Sequence, residues 1–167
     1  MHEILLVRHA KSSWKYKKLE DEERPLNKRG KRDSHDMGKR LAAKKCIPDL
    51  ILASPTQRTL STALIIASHL GLSENIIRLD SRIYRGDIAD LLALLKETPE
   101  SAQRIMLVGH HNSIPLLFRT LSTESIERIP TCGIASIEMD ITKWSKIKPQ
   151  KGKLVFYDYP KKRADHQ

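Results

Sequence analysis

Two histidines and two arginines in this sequence have the types and spacing for phosphoryl chemistry. Arg8 and His9 end the run "ILLVRH", Arg58 closes "SPTQR" at 54–58, and His110 follows Gly109 at the end of "RIMLVGH", with His111 beside it. A phosphoryl group spreads charge over its equatorial oxygens, so its transfer needs fixed cations around them and a nucleophile in line with the leaving group. Guanidinium forks match phosphate oxygens. An unperturbed imidazole, with a pKa of about 6.5, is largely neutral and nucleophilic at pH 7. His9 is therefore the candidate nucleophile, Arg8 and Arg58 the candidate phosphate ligands, and His110 a candidate donor to the transferring oxygens. His110 is preferred over His111 because it directly follows Gly109.

These residues need elements that bring them together. "EILLV" at 3–7, "DLILA" at 49–53 and "RIMLV" at 104–108 are short continuous apolar runs, the pattern of strands buried on both faces of a parallel sheet. Helix-period stretches at 28–45, 56–70 and 87–97 can supply the crossovers. "GIASIEMDI" at 133–141 and "GKLVFYDY" at 152–159 alternate and predict more exposed strands, one of them antiparallel at an edge. The predicted fold is an α/β class, three-layer α/β/α sandwich around a mainly parallel sheet. Ligands in such sheets bind beyond the carboxyl ends of the strands, where Arg8-His9, Ser54 to Arg58 and Gly109-His110-His111 all fall. In "SPTQR", Ser54 is the predicted N-cap, Pro55 the first helical residue and Gln57 the capping-box partner. Arg58 then sits at the positive end of a helix dipole, a placement that an anion would relieve.

"VRHAKSSW", "DEERPLNKRG", "SPTQRTLSTA" and "VGHH", in that order over residues 3 to 141, resemble the histidine phosphatase superfamily. The closer likeness is to the small bacterial phosphohistidine phosphatases of the SixA type. The resemblance implies a phosphoglycerate mutase-like fold, His9 as the phosphorylated nucleophile, Arg8 and Arg58 as phosphate ligands, and His110 completing the pocket. Ala10 replaces the usual glycine of the family's Arg-His-Gly hallmark, a small change unless the turn needs positive φ. Ser81, in "LDSRIYRG", stands where mutase and broad phosphatase relatives carry an acidic glutamate. The stretch between "IIRLD" and "RIMLV" reads as a single helix, too short for a helical lid.

At 167 residues the chain suits a single domain, taken as 1–159 with a basic tail at 160–167. The net charge of +10 favours anionic partners. A basic nucleic-acid-binding domain is the non-enzyme alternative, with two Trp, two Phe and four Tyr available for stacking. The histidines lack H-E-x-x-H or clustered metal-ligand spacing, and no G-x-G-x-x-G follows a strand, so neither a metal nor another cofactor is expected. Cys46 and Cys132 read as reduced thiols. With no apolar run near the roughly 20 residues that span a bilayer, no membrane contact and a cytoplasmic location are expected. Asp21, Asp80 and Asp87 read as solvated surface residues, as do Lys11 and Lys15. The expected activity is metal-independent hydrolysis of phosphohistidine on a partner protein through a phosphohistidine enzyme intermediate. A phosphomonoesterase or mutase acting on small metabolites is the enzymatic alternative.

Overall fold

The computed structural model describes residues 1–162. Six strands form one sheet: β1 (His2–Arg8), β2 (Leu50–Ala53), β3 (Ile77–Leu79), β4 (Arg104–Gly109), β5 (Ile134–Met139) and β6 (Lys153–Asp158). Their order is β3-β2-β4-β1-β5-β6. The first four in that order are parallel, β5 is antiparallel to β1, and β6 is antiparallel to β5.

Alternation along the central strands divides the core in two. Ile4, Leu6, Leu52, Ile105 and Leu107 pack on one face with α3 (Arg82–Arg85), α4 (Ile88–Lys96) and α5 (Ser113–Leu121), through residues such as Ile83, Leu91, Leu95 and Phe118. Leu5, Val7, Ile51, Ala53, Met106 and Val108 face α1 (Lys28–Ala43) and α2 (Gln57–His69), meeting Met37, Leu41, Ala63 and Ile66. Both faces of these strands are covered, which is why they read as unbroken apolar runs. The result is the expected α/β/α sandwich.

Four details differ from the sequence reading. The antiparallel strand β5 lies inside the sheet, and the edge strand β6 runs in the direction of β1. The 140–152 connection holds one 3-10 turn at Trp144–Lys146, too little for the crossover that parallel neighbours require. β5 is also almost wholly buried, Ser136 included, whereas β6 is partly exposed as predicted. The 80–103 connection contains two helices, α3 and α4, and no large lid. Finally, α5 adds a helix that the periodicity did not single out. Its Pro115 falls in the first turn, where a missing N–H breaks no helical bond.

Helix ends follow local chemistry. Asn27 caps α1 by accepting from the Gly30 N–H at 2.8 Å, and α1 stops before Lys45, whose φ of 56° cannot continue it. Asp87 and Asp90 form a reciprocal capping box on α4. The segment after β6 is tied to α1 by Arg40, which donates to the carbonyls of Tyr159, Pro160 and Lys162 and to the Asp158 carboxylate. From residue 163 onward the expected basic tail lies outside the described residues. Among the described residues no helix is long and apolar enough to cross a membrane.

Candidate active site

The carboxyl ends of β1, β2 and β4 converge as the sheet topology requires. The His9 N–H donates to the Gly109 carbonyl at 2.9 Å, locking the ends of β1 and β4 together. From the other side, the Cys132 N–H reaches the carbonyls of Arg8 and His9 at 3.0 and 3.1 Å, and the Arg8 N–H reaches the Gly133 carbonyl at 3.1 Å. Cys132 holds a φ of 60° to do this, a left-handed conformation that costs a non-glycine residue about 1–2 kcal/mol. Ala10 keeps φ out of that region, so the replacement of glycine strains nothing here. Its N–H donates to Thr62 Oγ1 at 3.0 Å.

This frame fixes the His9 ring. Nδ1 lies 2.7 Å from the Ala10 carbonyl oxygen. A carbonyl only accepts, so Nδ1 carries the proton and Nε2 keeps its lone pair. His9 lines a cavity of about 330 Å³ together with Arg8, Arg58 and His110, so the four predicted residues meet. The His9 and His110 rings stand edge to face, with centroids 5.4 Å apart. His110 is buried and its Nε2 is 2.8 Å from Ser54 Oγ, while His111 is exposed at the rim.

Ser54 is thus a partner of His110 and not the cap of α2. Thr56 is the cap, accepting from the Thr59 N–H, and the helix begins at Gln57. Ser and Thr are both good N-caps two residues apart; packing of the Thr56–Thr59 hydroxyl pair, 2.6 Å apart, decides between them. Arg58 still lies in the first turn, at the positive end of the dipole, and the anion beside it is Asp21. Arg58 Nη2 donates to Asp21 Oδ2 at 2.9 Å and Nη1 to the Asp21 carbonyl at 2.6 Å. Among the described residues, the Nε atoms of Arg8 and Arg58 are buried without a hydrogen-bond partner.

Asp21 was expected to be a solvated surface residue; its side chain is indeed 45% exposed, but it also lines the cavity and binds its arginines. Its Oδ2 also accepts from the Tyr84 hydroxyl at 2.7 Å, and its Oδ1 accepts from Arg24 Nε at 3.2 Å. Arg24 is buried, donates to Ser12 Oγ at 2.8 Å and is covered by the exposed Trp14 ring at 3.6 Å. Asp21, Arg24, Tyr84 and Trp14 all line the cavity, and so does Lys11. Tyr84 obeys the same rule as His9 and His110, since it comes from the segment after a strand end, here β3. Ser81 precedes α3 without a side-chain capping bond and does not line the cavity, while Asp80 pairs with Arg82 and Asp87 caps α4.

The pocket favours neutral imidazoles. Burial, assisted by Arg58, Arg8 and Arg24, lowers His9 to about 4 against the opposing pull of the Ala10 carbonyl. Burial, His9 and Arg58 lower His110 to about 3. Asp21 is held well below the usual carboxylate range, first by the Tyr84 hydroxyl and then by Arg58 and Arg24. The same contact pushes Tyr84 up to about 12. A second groove of about 570 Å³ shares Arg8, Lys11 and Thr131 with the cavity and adds Arg29, Arg128 and Lys161.

Residues 4–82 match the sequence profile of the histidine phosphatase superfamily (branch 1). An uncharacterized chloroplastic protein of Arabidopsis thaliana is 28% identical over 151 residues, covering 86% of this chain and 69% of that one. The fold is similar to that of a protein described as phosphohistidine phosphatase SixA from Nakamurella multipartitia. The TM-score is 0.81 at 21% identity, over 96% of this chain and 97% of that one. It is equally similar to the protein histidine phosphatase SixA complexed with tungstate, with a TM-score of 0.81 at 22% identity over 95% and 97% of the two chains. The profile covers the segments that carry Arg8, His9 and Arg58, and the shared fold extends through the segment that carries His110. Residues 4–82 thus carry the profile of the histidine phosphatase superfamily, and the chain has the fold of the SixA structures.

Proposed function

We propose that this phosphatase hydrolyses phosphohistidine on a partner protein, without a metal or other cofactor, through phosphorylated His9. One observation carries the reading: the Nδ1–H bond to the Ala10 carbonyl leaves the Nε2 lone pair facing a cavity lined by arginines. Nε2 attacks phosphorus, the bond to the leaving group breaks, and its electron pair departs with that group. Water then attacks the phosphorus on His9, losing a proton to solvent, and the P–N electron pair returns to Nε2. Arg8 and Arg58 neutralise the equatorial oxygens throughout, and His110 donates to them. The partner-protein substrate is supported by the open connection between β3 and β4 and by the cationic groove beside the cavity, which suits a phosphate presented on a surface. Residues 1–159 form the working domain in this reading, and the cytoplasm is its compartment.

The test is a pulse of labelled substrate followed by acid and alkali treatment. The expected adduct sits on His9, survives alkali and is lost in acid, and His9→Ala abolishes turnover in a folded protein. Chelator leaves the initial rate unchanged. An active His9→Ala protein refutes the mechanism. A wild type that hydrolyses sugar phosphates as well as a phosphohistidine protein shifts the substrate to small metabolites.

A further inference from the structure

Asp21 poses a problem for a phosphate pocket. It places a carboxylate among the ligands of a dianion, and its ties to Tyr84, Arg58 and Arg24 keep it ionised. It therefore has no proton to give a leaving group and cannot be the missing general acid. It also engages the arginine that the phosphate needs. An anion beside a bound phosphate repels it unless the substrate brings a positive charge to the same place.

Phosphohistidine does so. When its ring is protonated on the nitrogen that does not carry phosphorus, the substrate sets a cation next to its phosphoryl group. We infer that Asp21 reads this protonated ring, accepting its N–H on Oδ1 while Arg8 and Arg58 hold the phosphoryl oxygens. The inference rests on the phosphohistidine reading above. A carboxylate oxygen has room for about two hydrogen bonds. Oδ2 is filled by Arg58 and Tyr84, whereas Oδ1 receives only Arg24 Nε among the described residues. The Asp21 side chain remains 45% exposed, so a ring entering from solvent can reach it.

The chemistry balances without a general acid. His9 Nε2 forms its bond to phosphorus as the substrate P–N bond breaks. The electron pair of that bond stays on the departing nitrogen, and the ring keeps the proton shared with Asp21, so it leaves as neutral imidazole. Asp21 favours the step by holding the ring protonated until the bond is broken. An alkyl or aryl phosphate offers no such cation and meets Asp21 as a repelling charge.

Asp21→Asn separates these roles. The two substrates are a peptide bearing phosphohistidine and p-nitrophenyl phosphate, whose leaving group needs no proton. The variant is expected to lose roughly 10- to 100-fold more kcat/KM on the peptide than on p-nitrophenyl phosphate, the scale of one hydrogen bond to a charged group. The alkaline limb of the peptide pH profile, where the substrate ring loses its proton, should move down by about one unit once the stabilising charge is gone. If both substrates lose activity equally, or the limb stays in place, Asp21 merely positions Arg58 and the inference falls. A wild type indifferent to the two substrates would instead overturn the phosphohistidine reading, a separate result.

Discussion

His9 and His110 are bases whose folded pKa values, about 4 and about 3, lie below the 6.5 of an unfolded imidazole. Between those values the unfolded chain binds more protons than the folded one, so stability rises with pH across the window and is lost on acidification through it. Asp21 acts in the same direction at lower pH, because its depressed pKa gives stability that is lost only below the ordinary carboxylate value of 3.8. Comparison at pH 7 and pH 5 therefore isolates the histidines. Denaturant titrations should show the wild type less stable at pH 5, with a smaller difference for His9→Gln and for His110→Gln. A difference that neither variant reduces would mean that burial does not keep these rings neutral. At this scale the sequence pointed to Arg8, His9 and His110 because they stand at or just past the end of an apolar run, and to Arg58 because it lies in the first turn of the helix that follows one. It concealed Asp21, whose partners Arg58 and Tyr84 are 37 and 63 residues away and which reads locally as one acid in a charged loop.

The elements that carry these residues were legible where burial imposes a pattern and obscure where tertiary contacts choose between equal alternatives. The runs ending at Arg8, Ala53 and Gly109 could be read as central strands because helices cover both faces. The direction of β5 could not, since "GIASIEMDI" pairs equally well in either sense, and the short return after it fixes only that β6 is antiparallel to β5. Helix α1 illustrates a constraint that periodicity cannot reveal. A methyl group on Gly30 would fall 2.0 Å from the Lys11 carbonyl oxygen, which also accepts from the Asn27 N–H at 3.0 Å. The first turn of α1 thus rests against the backbone of the loop that brings Lys11, Ser12 and Trp14 to the cavity. Gly30→Ala should cost about 1–3 kcal/mol, the usual penalty of overpacking, and should lower kcat/KM because the loop must move with the helix. Thermal unfolding and turnover on one preparation test this. A variant with wild-type melting and activity would show that the contact does not hold the loop.

Across the whole molecule, strand direction decides what surrounds the cavity. Parallel β1, β2 and β4 end at one side of the sheet, and α2 and α5 begin there, so two positive dipole ends join the arginines. β6 runs with β1, and its end brings Tyr157, Tyr159 and Lys161 to the groove that contains Arg8. The start of β1 lies at the opposite side. The two ends of the polypeptide are therefore unequal as attachment points. A bulky reporter domain fused ahead of Met1 hangs from the far side, whereas the same domain fused directly after Lys162, in place of the last five residues, is tethered near the cavity. The first fusion should turn over a phosphohistidine protein at the wild-type rate; the second should slow that substrate while sparing a short phosphopeptide small enough to slip past the tether. Equal rates for both fusions on the protein substrate would mean that a large partner approaches from a direction the end of β6 does not guard.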